Sequence, residues 1–384
     1  MALRFRLYLC TMAPEIFYTN QSNNFDLFNQ LRNLSFKGLK ARVECKTLEF
    51  VNPAGTSRGV MNEKKVWFLT VSDGDFMGVG ECAPLPGLSP DFVTAETMLN
   101  EVAASIDHYA DWLSDLDDYP SVKFALETAM LDLDNFGNKI LFPSRFTEGK
   151  EALLINGLIW MGEPDFMVKQ INEKLEQGFR VLKMKIGAID FEEECHILEQ
   201  IRSVYSPDEV ELRLDANGAF KPREALRKIE QLAAYGIHSI EQPIKAGQWD
   251  ELSDICRDSA IPVALDEELI GISSYEHMTE MLETVLPSYI ILKPTLCGGL
   301  QGAEDWLAAA EELGIGWWAT SALETNIGLN AIAQWLYTKQ NPLPQGLGTG
   351  KLFKRNFDSP LYLQGDLMQY DPGVKWNLSW LFEA

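Results

Sequence analysis

Five successive apolar segments of this chain end in charge: Lys183 and Lys185 in VLKMKIG, Asp215 in ELRLDANG, Glu241 in HSIEQP, Asp266 in IPVALDE and Lys293 in YIILKP. In a strand, alternate side chains share a face, so Val181, Lys183 and Lys185 oppose Leu182, Met184 and Ile186. Glu211, Arg213, Asp215 and Asn217 likewise oppose Leu212, Leu214 and Ala216. One at a time these residues have plain explanations: a solvated edge strand with two surface lysines, or a loop carboxylate capping a helix. Five in succession do not, because burying so many charges requires a compensating ion or partner. Three carboxylates converging from neighbouring strands offer hard oxygen ligands, which suit Mg²⁺ better than zinc. The histidines fit no metal cluster: His108, His196 and His277 fall in helical stretches and His238 begins a strand. Such an ion stabilises the enediolate formed when a proton leaves the carbon beside a carboxylate, and a lysine of lowered pKa can be the base. Lys183 beside Lys185 is a reason for such lowering, since like charges disfavour the protonated form. With about −3 from the carboxylates, +2 from the ion and +3 from three lysines, the site carries roughly +2, which favours an anionic substrate.

The elements that must position these residues are regular. Strands are expected at 153–159, 181–187, 211–218, 238–243, 261–267, 289–294, 316–321 and 345–350, alternating with amphipathic helices. Successive strands start about 23 to 30 residues apart, the length of a βα unit, and eight units predict a closed (β/α) barrel with its active site at the C-terminal rim. An open, doubly wound sheet is the runner-up, weakened because no Gly-rich dinucleotide fingerprint follows the first strand. Ahead of the barrel, ARVECKTLEF and KKVWFLTVSDG read as strands around the turn-rich NPAGTSRGVMN. Helices are expected at 92–113 and between 117 and 138, making an α+β unit. The expected organisation is an N-terminal extension over 1–38, a capping unit over 39–140, the barrel over 141–350 and a hairpin-bearing tail over 351–384 that returns to the cap.

Composition narrows the function classes. The 384 residues are 46% hydrophobic and 23% charged, with 20 Phe, 11 Tyr and 10 Trp, enough for large packed cores. Thirty-three basic against 56 acidic residues leave a net charge of −23, which repels phosphate backbones and anionic head groups, so neither nucleic acid nor membrane is an expected partner. The six cysteines, Cys10, Cys45, Cys82, Cys195, Cys256 and Cys297, show no paired spacing and read as buried reduced thiols. No apolar run is long enough to span a bilayer and the N-terminal apolar stretch is too short for a secretory signal, so a cytoplasmic location is expected.

The K-x-K at Lys183 and Lys185, D-x-N at Asp215 and Asn217, E-Q-P at Glu241, D-E at Asp266 and L-K-P at Lys293 together resemble the muconate-lactonising subgroup of the enolase superfamily, from about residue 40 onward. The resemblance implies a (β/α)₇β barrel of the TIM type under an α+β cap completed by the C-terminal tail. It also implies Mg²⁺, with Mn²⁺ as the alternative, held by Asp215, Glu241 and Asp266; position alone leaves Glu267 and Glu268 open as the third ligand. GECAPLPGLS (80–89), SALETNIG (321–328) and GLGTG (346–350) are most similar to the dehydratases of menaquinone biosynthesis. For that branch the resemblance assigns Lys185 as base and then acid, Lys183 to orient the carboxylate and Lys293 to the opposite face. The substrate is a small dicarboxylate, contacted by Asn217, Ser321, Gly346 and Gly348, with Arg58 on a loop that shields the site. The glycine-rich eighth strand replaces the Asp-x-Asp that holds a peptide ammonium in related dipeptide epimerases. An N-acylamino acid racemase or dipeptide epimerase would use the same opposed lysines, and a catalytically silent binding barrel is the reading from another class.

Overall fold

The computed structural model describes residues 27–56, 59–160, 162–348 and 352–383. A three-stranded antiparallel sheet opens the fold, in the order β1 (Lys40–Thr56), β2 (Gly59–Ser72), β3 (Met77–Cys82). Four helices pack with it: α1 (Leu27–Arg32), α2 (Ala95–Ala104), α3 (Tyr109–Asp115) and α4 (Pro120–Asp134). Helix α4 lies directly against β3, where the strand has no side chains to keep it away: a Cβ on Gly80 would sit 1.9 Å from the Ala125 carbonyl oxygen, and one on Gly78 2.0 Å from that of Ala129. The expected extension over 1–38 is corrected for its last part. Leu27 and Leu31 are fully buried in the core and the Tyr109 hydroxyl donates to the Leu34 carbonyl, so residues 27–38 pack with the cap, while 1–26 lie outside the described residues.

The second unit is the barrel. After the short β4 (Leu153–Leu154) come seven parallel strands: β5 (Gly157–Ile159), β6 (Val181–Lys185), β7 (Glu211–Asp215), β8 (Ser239–Glu241), β9 (Val263–Leu265), β10 (Tyr289–Leu292) and β11 (Gly316–Ala319). Between and after them run α5 (Pro164–Glu176), α6 (Phe191–Val204), α7 (Pro222–Ala233), α8 (Trp249–Asp258), α9 (Tyr275–Val285), α10 (Gly299–Glu312) and α11 (Asn326–Lys339). Gln345 and Gly346 close the ring: Gln345 bridges to Ile155 and Gly346 to Thr320, with Asn156 N–H donating to the Gln345 carbonyl at 2.9 Å and Gly346 N–H to that of Ala319 at 2.8 Å. The eighth stave is thus shorter than the expected 345–350, of which 349 and 350 lie outside the described residues. The lower barrel is filled by Arg213, whose guanidinium lies 4.4 Å from the Trp318 ring centre. In the tail, Leu352 and Lys354 bond the backbone of β1, and Phe357 packs on Phe68 at 5.3 Å between ring centres. The expected hairpin forms from β12 (Leu361–Gln364) and β13 (Leu367–Tyr370), but β13 pairs with β4 at the barrel rather than with the cap sheet. Among the described cysteines Cys82, Cys195 and Cys297 are buried, whereas Cys256 is half-buried and Cys45 is exposed on β1, which corrects the expectation that all are buried.

Cap and barrel are joined by buried carboxylates. Every residue of α4 from Pro120 to Leu133 is buried, so its polar side chains need partners. Glu127 finds them at the start of α10, accepting from Leu300 N–H at 2.6 Å and Gln301 N–H at 3.2 Å. Burial pushes its carboxyl up from 4.5 to about 7, against the pull of Lys123 and the two amides. The folded protein therefore holds this proton to higher pH than the unfolded chain does, and the contribution of Glu127 to stability falls as pH rises from 4.5 to about 7. Glu127→Gln is expected to remove that slope, on the order of 3 kcal/mol, so the variant should lose less stability than the parent between pH 5 and 8. Denaturant melts at the two pH values measure it; equal losses would refute the assignment.

Candidate active site

Strand register sets the site. Lys185, Asp215 and Glu241 are the last residues of β6, β7 and β8 and stand beside one another across the sheet, so their side chains project at the C-terminal rim. Asp266 follows β9 and Lys293 follows β10. Asp215, Glu241 and Asp266 are 1–2% exposed, and lysines are interleaved with them. The Lys183 ammonium lies 3.0 Å from Asp215 Oδ2 and 2.6 Å from Glu241 Oε2. Lys185 donates to Asp215 Oδ2 at 2.9 Å and to Asn217 Oδ1 at 2.6 Å, and Lys293 donates to Asp266. Because β6 and β10 are four staves apart in a ring of eight, Lys185 and Lys293 approach the centre from opposite sides.

The electrostatics follow from this alternation. Burial raises the Asp215 carboxyl, but Lys183 and Lys185 outweigh it and hold the group far below the usual carboxylate range. Burial and the neighbouring Asp215 push Glu241 well up, only partly countered by Lys183. The lowering expected from Lys183 standing beside Lys185 is corrected for Lys183. Burial does lower it, but Asp215, Glu241 and Asp266 together raise it above the ordinary lysine range. Lys293 is raised in the same way, burial being outweighed by Asp266 and Glu241.

The three acidic residues after β9 have distinct surroundings. Asp266 faces Lys293. Glu267 accepts from Asn217 Nδ2 at 2.9 Å. Glu268 turns away, accepting from Gly247 N–H and Trp249 Nε1 at 2.8 Å each and from Gln242 Nε2 at 3.0 Å. Gln242 accepts in turn from Asp266 N–H and Glu268 N–H, both at 3.2 Å, which fixes the backbone from which Asp266 projects. Among the described residues no three carboxylates are gathered closely enough to hold an ion as they lie, since ammonium groups stand between them. The donor set nonetheless fits a hard divalent cation: it is all oxygen, buried, and presented by three adjacent strand ends.

Above the carboxylates a cavity of roughly 740 Å³, counting its open mouth, has a polar floor of Lys183, Lys185, Asp215, Asn217 and Lys293. Ser321, Gly346 and Gly348 also line it, while Arg58 lies outside the described residues. Glu241 and Asp266 sit beneath and reach the cavity through the lysines they bind. Sequence reasoning missed Asn156 and the apolar walls: Leu158 and Trp160 from the first stave, Leu85 and Leu88 from the cap, and Ala322 and Leu323. Asn156 had a signal, a polar residue sharing the face of Leu154, Leu158 and Trp160 in an otherwise apolar segment.

Such a barrel, cap and ring of charges define a member of the enolase superfamily. The family model described as "Enolase C-terminal domain-like" matches residues 166–368, and "MenC, N-terminal domain" matches 57–133. The chain is 42% identical over 367 residues to an o-succinylbenzoate synthase of Desulfotalea psychrophila, covering 86% of this chain and 99% of that protein. The crystal structure of MenC from the same organism superposes with a TM-score of 0.75 at 39% identity, over 87% of this chain and all of that one. A dipeptide epimerase of Enterococcus faecalis, solved with Mg and the dipeptide L-Leu-L-Tyr, shares the fold with a TM-score of 0.77 at 20% identity, over 87% and 97% of the two chains. The chain belongs to the o-succinylbenzoate synthase family of the enolase superfamily, a superfamily of Mg²⁺-using enzymes.

Proposed function

We propose that this enzyme dehydrates 2-succinyl-6-hydroxy-2,4-cyclohexadiene-1-carboxylate to 2-succinylbenzoate, a carbon–oxygen lyase step of menaquinone biosynthesis in the cytoplasm. The observation that carries the reading is whole-length similarity to an o-succinylbenzoate synthase in a chain whose opposed lysines flank a pocket with an acidic ring beneath it. Asp215, Glu241 and Asp266 are the residues to hold Mg²⁺, or Mn²⁺ in its place. A divalent ion held there would supply positive charge to the substrate carboxylate.

The chain's own residues do the rest. Lys185 Nζ removes the proton α to the ring carboxylate, and the electron pair spreads into that carboxylate. Lys183 orients the carboxylate, and Lys293 places a cation on the opposite face. Protonated Lys185 then returns its proton to the departing hydroxyl, the carbon–oxygen bond breaks, and the ring becomes aromatic as water leaves. One group acting on one face predicts syn elimination. The succinyl carboxylate lies toward Ser321 and the eighth-stave glycines Gly346 and Gly348, which line that side of the cavity. Leucines and a tryptophan around the ring exclude water. No helix among the described residues is long and apolar enough to cross a membrane.

The test is to mix the purified protein with Mg²⁺ and the diene and follow the ultraviolet change of aromatisation, with an EDTA control. Fast, EDTA-sensitive aromatisation is expected. No reaction from folded, metal-loaded protein would overturn the reading in favour of an N-acylamino acid racemase or dipeptide epimerase, which the same opposed lysines would serve.

A further inference from the structure

Behind the pocket wall formed by Ser321, Ala322 and Leu323 lies a second set of buried charges that the chemistry above does not use. Lys64, on β2 of the cap, is 5% exposed and donates to the Leu323 carbonyl at 3.1 Å and the Ala83 carbonyl at 3.3 Å. Leu323 is itself strained: its φ of 65° lies in the left-handed region that a leucine seldom adopts, so something must hold it there. Glu81, on β3 of the cap, accepts from Thr325 N–H at 2.8 Å, Thr325 Oγ1 at 2.5 Å and Gly328 N–H at 2.8 Å, at the start of α11. A Cβ at position 328 would meet Glu81 Oε2 at 3.0 Å and Glu324 Cβ at 2.8 Å, so the glycine keeps that cradle open. Glu324 ties the same loop inward, accepting from Ala322 N–H and from the hydroxyl of Thr295, two residues past Lys293, both at 2.7 Å.

We propose that Lys64, supported by Glu81 and Glu324, is a positioning residue through which the cap sets the shape of the 321–323 wall and hence the fit of the substrate arm lying along it. The part of this that concerns substrate rests on the function proposed above. Lys64 touches no reacting atom; it acts through the Leu323 backbone. Burial lowers the Lys64 pKa, Glu324 and Glu81 opposing it only in part, and both carboxylates hold the same loop through the hydrogen bonds above. A carbonyl fixed by a buried ammonium leaves a strained residue no freedom to relax, and Leu85 and Leu88 of the cap complete the same pocket. The cap is thereby more than a cover: two of its strands reach through the interface to hold a wall built by the barrel.

Two variants test this. Lys64→Met removes the ammonium at constant length, and the double variant Lys64→Met, Glu324→Gln also removes a carboxylate that would otherwise be left uncompensated should the single variant fail to fold. The expected result is a KM for the diene raised about tenfold with kcat changed less than about threefold. Hydrogen exchange should accelerate about tenfold at the amides of 321–325 while those of β6 and β7 stay at parent rates. Faster exchange throughout the chain, or an unchanged KM in a folded variant, marks mere interface packing and overturns the proposal. If the parent protein leaves the diene untouched, the proposed substrate fails while exchange still decides the positioning role: acceleration confined to 321–325 supports it, and its absence overturns it.

Discussion

Lys185→Ala is expected to reduce turnover of the diene by about four orders of magnitude, the upper range for a general acid–base group, and here one residue serves both proton transfers. The geometry separates this loss from unfolding. Lys185 sits on the cavity floor with its ammonium between Asp215 Oδ2 and Asn217 Oδ1, so truncation opens space that water can fill. Asp215 keeps its other cation, Lys183, at 3.0 Å and is not left as an uncompensated buried charge. The melting temperature should therefore change little. Lys293→Ala should also be severely impaired, but as a group that stabilises charge from across the ring it leaves the α-proton within reach of Lys185. In D₂O the Lys293 variant should still exchange that proton into recovered substrate, and the Lys185 variant should not. Near-parental turnover in Lys185→Ala, or exchange persisting in it, would sink the assignment.

What the sequence made legible here was periodic. The βα spacing and the alternation of charge with apolar side chains place Lys183, Lys185, Asp215, Glu241, Asp266 and Lys293 on one face at one rim, because a parallel strand can bury both faces only if one of them meets helices. Features that depend on two distant segments meeting stayed hidden. Nothing local marks Leu85, Leu88 or Lys64 as neighbours of a loop more than 200 residues later, since the cap's approach is decided by carboxylates such as Glu81 and Glu127 reaching helix starts in the other unit. The lysine electrostatics were legible only in part. Adjacent like charges are visible in K-x-K, whereas the carboxylates that reverse their effect on Lys183 arrive from three other strands. The choice among Asp266, Glu267 and Glu268 likewise depends on where β9 ends and on Gln242, whose amide oxygen takes two backbone N–H groups after that strand.

Asp215→Asn is expected to produce the largest combined effect of any single substitution at the ring, because this carboxylate pairs with two lysines and belongs to the proposed metal donor set. It is the shared partner of Lys183 at 3.0 Å and Lys185 at 2.9 Å, and both cations favour its ionised form. Neutralising it leaves Lys183, largely buried, to Glu241 alone, and breaking a buried ion pair in this way costs about 3–5 kcal/mol. With metal, the variant offers one charged oxygen donor fewer among three, and Mg²⁺, which dehydrates reluctantly, compensates poorly with a neutral amide. A divalent ion at about 100 times its Kd adds about 2.7 kcal/mol to stability by mass action, so the parent should melt higher in Mg²⁺ than in EDTA. In Asp215→Asn the melting temperature should be lower in EDTA and should no longer respond to Mg²⁺, while turnover disappears. Titration calorimetry with Mn²⁺ gives an independent reading of the same donor set. A variant that still binds Mn²⁺ with parental affinity would remove Asp215 from the metal site and leave its two lysine contacts as its whole role.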